Sequence, residues 1–228
     1  LIGQALSKAL VANQHQVTIL SRSPQKYQAA MPDVTVVAWD GRSSEGWGHL
    51  IEETDAVINL AGASIAGESM VDILTKRWSR ESKEIMLQSR IFAGQAITQA
   101  IQAAQNKPSV LVQSSAVGYY GPRGLEDVGE DSPYGDDFLS SICVAWEQST
   151  APVEALGVRR IVIRTGLVLD DAGGILPMIL LPFRLFAGGK IGSGEQGIPW
   201  IHVTDEIAAI LFLLENETAR GAYNLSAP

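Results

Sequence analysis

Short, nearly continuous runs of β-branched and other apolar residues constrain the fold of this chain more than any other feature. These runs occupy residues 16–20, 34–39, 56–61, 110–114 and 160–164. Strands buried on one face alternate apolar with polar residues, whereas strands buried on both faces are apolar at successive positions. The runs are therefore predicted to be strands of a parallel sheet that is covered on both faces.

Helical periodicity fills the segments between these runs. Apolar residues recur at helical spacing in 79–105, 137–156 and 204–216, which predicts helices there. The alternation of strand and helix is typical of an α/β fold with a doubly wound parallel sheet. Residues 173–199 are rich in glycine and proline, and they are expected to form an inserted lobe or lid without a sheet element.

The charge balance argues against several classes of partner. The chain of 228 residues has 17 Lys and Arg against 25 Asp and Glu, a net charge of −8. No basic stripe is present, so a nucleic-acid groove is not expected. The longest apolar run is too short to cross a bilayer, so membrane insertion is not expected. One cysteine, Cys143, and three separated histidines predict neither a disulfide framework nor a metal site.

The residues that end the predicted strands favour nucleotide binding. Ligands of open parallel sheets bind at the carboxyl ends of the strands. Here those ends carry small residues at 61–63 and 114–115, together with Arg22 and Arg164. Small residues let a ligand approach the backbone, and the arginines supply positive charge for phosphate.

Arg22, which follows the first predicted strand, bears on the choice of dinucleotide. At this position an acidic residue would bind the 2′-hydroxyl of the adenosine ribose, whereas an arginine accommodates a 2′-phosphate. Ser21 adds a hydroxyl donor beside it. The alternative interpretation is a solvated loop arginine.

The first residues of the chain have helical spacing, although nothing before Leu1 supplies an N-cap. We therefore expect a further segment upstream, with Gly3 as the last glycine of a phosphate-binding loop. The alternative is that Gly3 is a glycine tolerated within a helix, at a cost of about 1 kcal/mol relative to alanine.

Hydroxyl and imidazole groups near the strand ends are candidates for acid–base chemistry. Ser115 ends the fourth predicted strand, and Tyr119 and Tyr120 follow it between glycines. A serine hydroxyl can bind a carbonyl oxygen, and a tyrosine can act as a general acid. His202 precedes a helix whose predicted N-cap is Thr204. Aromatic packing of the tyrosines and a core position for His202 are the alternatives.

Two further features are interpreted as structural. The stretch 126–137 holds six acidic residues and no basic one, and it is expected to be a solvated loop, with a carboxylate pair as the alternative. Cys143 lies between apolar residues without an adjacent base. This pattern indicates a packed thiol rather than a nucleophile.

A set of short motifs spread along the chain resembles one family. The motifs are NLAG at 59–62, RW at 77–78, SR at 89–90, SAVGYYG at 115–121, DDFL at 136–139, WE at 146–147, GLVL at 166–169, GSG at 192–194, WIHV at 200–203 and NLSAP at 224–228. Together they are similar to the epimerase family of atypical, extended short-chain dehydrogenases/reductases. Members of that family are described as sugar-nucleotide epimerases or as cell-division-inhibitor-like proteins.

The resemblance covers essentially the whole chain, and it implies a Rossmann fold with an NADP(H) cofactor. Family members begin with a strand and a glycine-rich loop and continue past the NLSAP motif, so the resemblance implies a sequence trimmed at both ends. It also implies a Rossmann domain over 1–166, a substrate-side lobe over 167–200 and a return to the Rossmann domain over 201–228.

The resemblance assigns roles along the cofactor and the substrate. Gly3 would belong to the pyrophosphate loop, Ser21 and Arg22 would hold the 2′-phosphate, and Trp39 and Asp40 would lie near the adenine. Ser115 would face the nicotinamide, and Trp200 and His202 the substrate cleft. The predicted cofactor-binding residues are Gly3, Ser21, Arg22, Trp39, Asp40, Leu60, Ala61, Gly62, Ala63 and Arg164. The catalytic candidates are Ser115, Tyr119, Tyr120 and His202.

The sequence departs from the wider superfamily at the catalytic pair Tyr-x-x-x-Lys, because no tyrosine here has a lysine four residues later. If Glu147 aligns with the glutamate that follows this pair, Leu139 and Cys143 occupy the two positions. One hypothesis is a reductase or epimerase that transfers hydride on an unknown substrate, with a sugar nucleotide as one candidate. The other is a non-catalytic NADP(H)-binding regulator or interaction protein linked to cell or plastid division.

A cytoplasmic location is expected under either hypothesis, with the plastid stroma as the alternative. A protein partner or a homo-oligomer is compatible with both.

Overall fold

The computed structural model of the chain describes residues 1–65, 78–190 and 192–227. Arg77 and Pro228, which belong to two of the motifs above, lie outside the described residues. The strands are β1 (Thr18–Ser21), β2 (Thr35–Ala38), β3 (Ala56–Asn59), β4 (Val110–Ala116), β5 (Arg159–Thr165), β6 (Leu167–Asp170), β7 (Gly173–Gly174), β8 (Trp200–His202) and β9 (Gly221–Leu225). The α-helices are α1 (Ile2–Ala12), α2 (Pro24–Ala30), α3 (Arg80–Ala103), α4 (Phe138–Thr150), α5 (Leu176–Arg184) and α6 (Val203–Glu215).

The strands predicted from the apolar runs are confirmed, and all of them pair in parallel. β3, β4, β5 and β9 form a four-stranded sheet in the order β3-β4-β5-β9, and β1 pairs with β2. Because neighbouring strands run in the same direction, their carboxyl ends lie along a common edge. The prediction that a further strand precedes Leu1 is not tested by these pairings and stays a prediction.

Both faces of the four-stranded sheet are covered, as the continuous apolar runs predicted. Val110 and Val112 of β4 point into a core cluster that also contains residues of α1 and α6. Leu111, between them, belongs to a second cluster with Trp47 and the apolar face of α3. Successive side chains of a strand point to opposite faces, so a doubly covered strand requires apolar residues at every position. The predicted doubly wound α/β fold is therefore confirmed.

Residues 167–202 contain a small sheet of their own. β6 pairs in parallel with β8 and in antiparallel with β7. The expectation that 173–199 contains no sheet element is wrong for Gly173 and Gly174, which form β7 opposite β6. Gly174 has a φ of 71°, a conformation that glycine adopts without strain. The domain boundaries given above stay a prediction.

Side chains cap the helices beside the strand ends. Asp137, from the acidic stretch, accepts a hydrogen bond from the Ser140 amide at 2.7 Å and begins α4. The prediction that Thr204 caps α6 is wrong. The cap is His202, whose Nδ1 accepts a hydrogen bond from the Thr204 amide at 3.2 Å. The imidazole takes the cap because the chain leaves β8 at His202 with an extended backbone conformation and turns into the helix immediately after it.

Among the described residues, no helix combines the length and the apolar character needed to cross a bilayer.

Glu206 is an unusual member of the core because its carboxyl group is fully buried in the first turn of α6. Oε1 accepts a hydrogen bond from Thr165 Oγ1 at 2.8 Å, and Oε2 has no partner among the described residues. Burial raises the pKa of Glu206 to about 7, and the hydrogen bond from Thr165 opposes this only in part. The folded chain therefore retains a proton that the unfolded chain releases at lower pH.

This pKa shift predicts a pH dependence of stability. The folded-state pKa lies above the ordinary value of 4.5, so stability falls as the pH rises from about 4.5 to about 7. The full effect is on the order of 3 kcal/mol. The substitution Glu206→Gln removes the titrating group, so the Tm of the variant is expected to fall less than that of the wild type between pH 5 and pH 8. Glu215→Gln, at an exposed position of the same helix, is the control and should follow the wild type. Parallel curves for Glu206→Gln and the wild type would contradict this account.

Candidate functional site

Two adjacent strand ends bring the predicted adenosine-binding residues together. Ser21 is the register partner of Ala38, and the Trp39 amide donates a hydrogen bond to the Ser21 carbonyl at 2.9 Å. Arg22 and Asp40 each follow one of these positions in the chain. The two strand ends border an open pocket of about 290 Å³, lined by Ser21, Arg22, Ala38, Trp39, Asp40, Ser43 and Glu45.

The indole ring of Trp39, which lines this pocket, packs against the buried indole ring of Trp47. The indole N–H groups of Trp39 and Trp47 both donate to the Ser43 carbonyl, each at 2.8 Å. Their rings meet edge to face at 5.5 Å. Trp47 is buried in the core, and Trp39 is half-buried at the pocket. The core therefore holds one side of the indole pair, while Trp39 presents aromatic surface on which a purine base can pack.

The polar side chains of the pocket differ in how many hydrogen bonds they form with the rest of the protein. The Asp40 carboxylate accepts hydrogen bonds from the backbone amides of Arg42 and Ser43, at 2.7 and 2.9 Å. These bonds, first that of Ser43 and then that of Arg42, lower the pKa of Asp40 below its ordinary value. Arg22 is exposed, and it has no hydrogen-bond or ion-pair partner among the described residues. Its guanidinium group is therefore free to bind an anionic ligand.

A second group of predicted cofactor residues lies where β3 ends. Buried Asn59 donates to Gln113 Oε1 at 2.9 Å and accepts from the Ala61 amide at 3.2 Å. Leu60 approaches Gly3 of α1 closely enough that a Cβ atom on Gly3 would lie 3.7 Å from Leu60 Cδ1. Gly3 and residues 60–63 thus share one location. Neither Gly3 nor any of residues 60–63 lines the pocket at Arg22.

An ion pair forms the centre of a third group. The Arg164 guanidinium donates two hydrogen bonds to the Glu147 carboxylate, both at 3.0 Å. The same guanidinium also donates to the Tyr120 hydroxyl and to the Glu130 carbonyl, each at 2.9 Å. Burial alone would lower the pKa of Arg164, but the hydrogen bonds with Glu147 and Tyr120 outweigh it and raise that pKa. Arg164 is therefore a permanent cation whose donors are used inside the protein.

This ion pair defines the places of three predicted site residues. Ser115 donates to Glu147 Oε1 at 2.7 Å, so its hydroxyl group points at the ion pair. The Tyr120 hydroxyl donates to Asn224 Oδ1 at 2.7 Å and accepts from Arg164. Arg164 has four internal acceptors, which explain its position without a bound phosphate. We therefore interpret Arg164 as a structural residue and do not include it in the proposed cofactor site.

Tyr119 and His202 remain accessible. The Tyr119 ring packs against the Arg164 guanidinium at 3.5 Å and edge to face against Tyr120 at 5.2 Å. Its hydroxyl group has no hydrogen-bond partner among the described residues. The imidazole of His202 is exposed, which excludes the core position considered above. No described contact brings His202 to Tyr119, so the structure does not unite the catalytic candidates in one cluster.

Sequence reasoning missed several residues of the ion-pair network. The sequence places Glu147 only in a motif and beside the expected catalytic pair, and it predicts no role for Asn224. Glu130 was assigned to a solvated loop, yet its carboxylate accepts from the Asn224 amide at 2.9 Å. Asn224 lies near the end of β9 and is the register partner of Arg164 on β5. Its position at a strand end is the sequence feature that points to a place in this network. Among the described residues, no group of His, Cys, Asp and Glu side chains is arranged to bind a metal ion.

The helix face that would carry the superfamily's catalytic pair is apolar here. Ideal Cβ placement on Gly118 puts the Cys143 sulfur and Leu139 Cβ each at 3.9 Å. Burial raises the pKa of the Cys143 thiol to about 11. A neutral thiol cannot supply the positive charge that the lysine of the catalytic pair would supply. Cys143 is buried, which confirms its interpretation as a packed side chain.

A doubly wound parallel sheet with a pocket and small residues at the carboxyl ends of its strands is typical of nucleotide-binding α/β proteins. Comparison with known proteins identifies the family. The family model described as NAD(P)H-binding matches residues 1–177. The chain is also 39% identical over 231 residues to an epimerase family protein of Staphylococcus saprophyticus, with 100% of this chain and 72% of that protein covered. The chain belongs to this NAD(P)H-binding epimerase family, and the expected nicotinamide cofactor is confirmed at the level of NAD(P)H.

Solved structures agree with this assignment. The crystal structure of a human epimerase family protein, SDR39U1 isoform 2 with NADPH, is 35% identical with a TM-score of 0.81, covering 100% of this chain and 71% of that one. A nucleoside-diphosphate sugar epimerase from Corynebacterium glutamicum is 27% identical with a TM-score of 0.71, covering 93% of this chain and 46% of that one.

The buried ion pair leads to a stability prediction. Glu147→Ala leaves the Arg164 cation buried without a counter-charge, which is expected to lower the free energy of unfolding by roughly 3–5 kcal/mol. The matched control is Glu154→Ala, which removes the more exposed partner of Arg160, 2.9 Å away. That loss is expected to be about 1 kcal/mol or less. Urea unfolding monitored by circular dichroism measures both, and equal losses would show that Arg164 does not depend on Glu147.

Proposed function

We propose that this protein is an NADP(H)-dependent reductase or epimerase of the short-chain dehydrogenase/reductase type. The observation that carries the proposal is Arg22, an exposed cation with no partner among the described residues, at the pocket formed by the ends of β1 and β2. Of the residues that line this pocket, Arg22 alone is basic. A phosphate monoester carries about −1.5 to −2 charges at neutral pH, so a 2′-phosphate at this pocket depends on Arg22.

The remaining residues fit the rest of an adenosine group. Trp39 offers aromatic surface for the base, and Asp40 and Glu45 offer oxygen acceptors for its amino group. Gly3 and residues 60–63 would follow the cofactor along the strand ends, because small residues at 61–63 let a ligand approach the backbone. The human relative that was solved with NADPH supports NADP(H) over NAD(H).

A bound nicotinamide dinucleotide supplies hydride exchange. The side chains of the protein must therefore bind the substrate and donate or accept the proton that accompanies the hydride. Tyr119 is one donor, since its ring is fixed by Arg164 and Tyr120 while its hydroxyl group is unpartnered among the described residues. His202 is the other. Its Nδ1 accepts from the Thr204 amide, so the neutral imidazole carries its proton on Nε2 and donates outward. The Corynebacterium relative makes a nucleoside-diphosphate sugar a reasonable first substrate class.

A second candidate function is a non-catalytic NADP(H)-binding regulator. Leu139 and Cys143 favour it, because neither side chain can transfer a proton or carry a charge in the place of the usual pair. The bacterial relatives make a cytoplasmic location the proposed one for either function.

Removal of Arg22 tests the cofactor preference. Arg22→Ala deletes one charge-assisted contact to the 2′-phosphate, so NADPH is expected to bind roughly 10- to 100-fold more weakly. NADH lacks that phosphate, and its affinity should change less than about threefold. Isothermal titration calorimetry with both nucleotides measures these affinities. The control is Arg220→Ala, because Arg220 is an exposed arginine outside the pocket. Equal weakening of NADPH and NADH by Arg22→Ala would overturn the assignment.

Turnover distinguishes the enzyme from the regulator. With nucleoside-diphosphate sugars and simple carbonyl compounds as substrates, the wild type is expected to oxidise NADPH or to epimerise the sugar. Tyr119→Phe and His202→Gln should each lower kcat by about 100-fold or more if that residue is the proton donor. Unchanged turnover in both variants would exclude these donors. NADPH binding without turnover on any substrate would favour the regulator.

A further inference from the structure

Two consecutive residues of α3, Ser89 and Arg90, hold the segment that follows β3. The Ala63 amide donates to Ser89 Oγ at 3.0 Å, and Arg90 Nη1 donates to the Ala63 carbonyl at 3.1 Å. Both backbone polar groups of Ala63 are therefore bound by neighbouring side chains of one helix. With Asn59 bound to the Ala61 amide, side chains fix the 61–63 segment at both of its ends.

Arg90 also lies directly on Gly62. A Cβ atom on Gly62 would come within 3.0 Å of Arg90 Cζ and 3.2 Å of its Cγ and Nε. Real Cβ contacts are rarely this short, so an alanine at this position would force the arginine to shift by a few tenths of an ångström. Gly62 is required for close approach here, since it is absent from the glycines that have a positive φ.

Fold stability alone does not account for Arg90. The residue is 7% exposed, and its Nε has no hydrogen-bond partner among the described residues. Its guanidinium faces the Trp146 ring at 4.8 Å and donates to the carbonyls of Met86 and Ala63. No carboxylate among the described residues pairs with it. A buried cation with an unpaired donor destabilises a fold, which favours a functional reason for the residue.

Arg159 provides a contrast within the same chain. It is buried to a similar extent, at 8% exposure. Its guanidinium donates to the carbonyls of Leu213, Leu214, Asn216 and Ala219, where α6 ends. It lies at the amino end of β5, opposite the strand ends that carry the candidate site. Arg159 is therefore a structural arginine that is matched to Arg90 in burial and in bonding to backbone carbonyls.

We propose that Arg90 is a positioning residue for the dinucleotide, acting through Gly62 and Ala63. It fixes the backbone of the 61–63 segment, along which the cofactor lies. The proposal rests on the proposed function, because it requires a dinucleotide at this edge of the sheet. Arg90 acts on a part of the site away from Arg22, so it contributes to the affinity for NADPH and NADH alike.

The test compares Arg90→Met with Arg159→Met in titrations of both nucleotides. Arg90→Met keeps the apolar stem on Trp146 and removes the donors, and it is expected to weaken NADPH and NADH by a similar factor of about ten. Arg159→Met should lower the Tm while leaving both Kd values within about twofold. Arg90→Lys, which retains a cationic donor, should restore part of the affinity. Hydrogen exchange in a peptide spanning 61–63 should be faster in Arg90→Met and unchanged in Arg159→Met.

A second pair of variants covers the case in which Arg90→Met does not fold. Gly62→Ala should shift Arg90 and weaken both nucleotides, whereas Gly129→Ala, with open space around its Cα, should not. Unchanged Kd values in Arg90→Met, or in Gly62→Ala if that is the only variant that folds, would overturn the role of Arg90. If the wild type binds neither nucleotide, the proposed function itself fails, which is a separate outcome.

Discussion

The ion pair between Glu147 and Arg164 connects the elements around the candidate site. Glu147 lies on α4 and Arg164 at the end of β5, and the pair binds Ser115 at the end of β4. Through Tyr120 it reaches Asn224 on β9, and through the Glu130 carbonyl it reaches the acidic loop. A buried ion pair is favourable only when further hydrogen bonds satisfy its remaining donors and acceptors. The surrounding polar side chains meet that condition, and they are fixed in place as a result.

This arrangement changes the interpretation of the polar residues near the strand ends. Ser115 and Tyr120 have the chemistry of catalytic residues, but their hydroxyl groups bond to the ion pair and its neighbours. Tyr119 differs because only its ring is engaged, by the face of the same guanidinium. Arg164 thus packs against the ring of Tyr119 and leaves its hydroxyl group unbonded by the ion pair, whereas it donates a hydrogen bond to the hydroxyl group of Tyr120. A catalytic role for Tyr119 would be consistent with the absence of the usual tyrosine and lysine on α4.

The arginines of this chain show how burial separates residues of one type into different roles. Arg22 is exposed and unpartnered among the described residues, Arg164 is paired with a carboxylate, and Arg159 binds the carbonyls at a helix end. Arg90 is buried against Gly62 with incomplete bonding. A guanidinium keeps its charge in each of these settings, so its role depends on which acceptors surround it. Arg22 and Arg90 are therefore the two arginines to which we assign a part in cofactor binding.

The sequence by itself determined the strands β1 to β5 and the long helices between them, and it predicts that a ligand binds at the carboxyl ends of the strands. Apolar runs and helical spacing are local, so residues such as Val110, Leu111 and Val112 predict their own strand and its two buried faces. The placement of Ser21 beside Trp39 depends on which strands are neighbours, and only the tertiary structure showed that β1 pairs with β2. Only the tertiary structure decided which polar side chains are free. Ser115, Tyr120 and Arg164 bond to Glu147 and Asn224, which are distant from them in sequence. Hydrogen-bond partners depend on distances across the fold, and local sequence patterns carry no information about them.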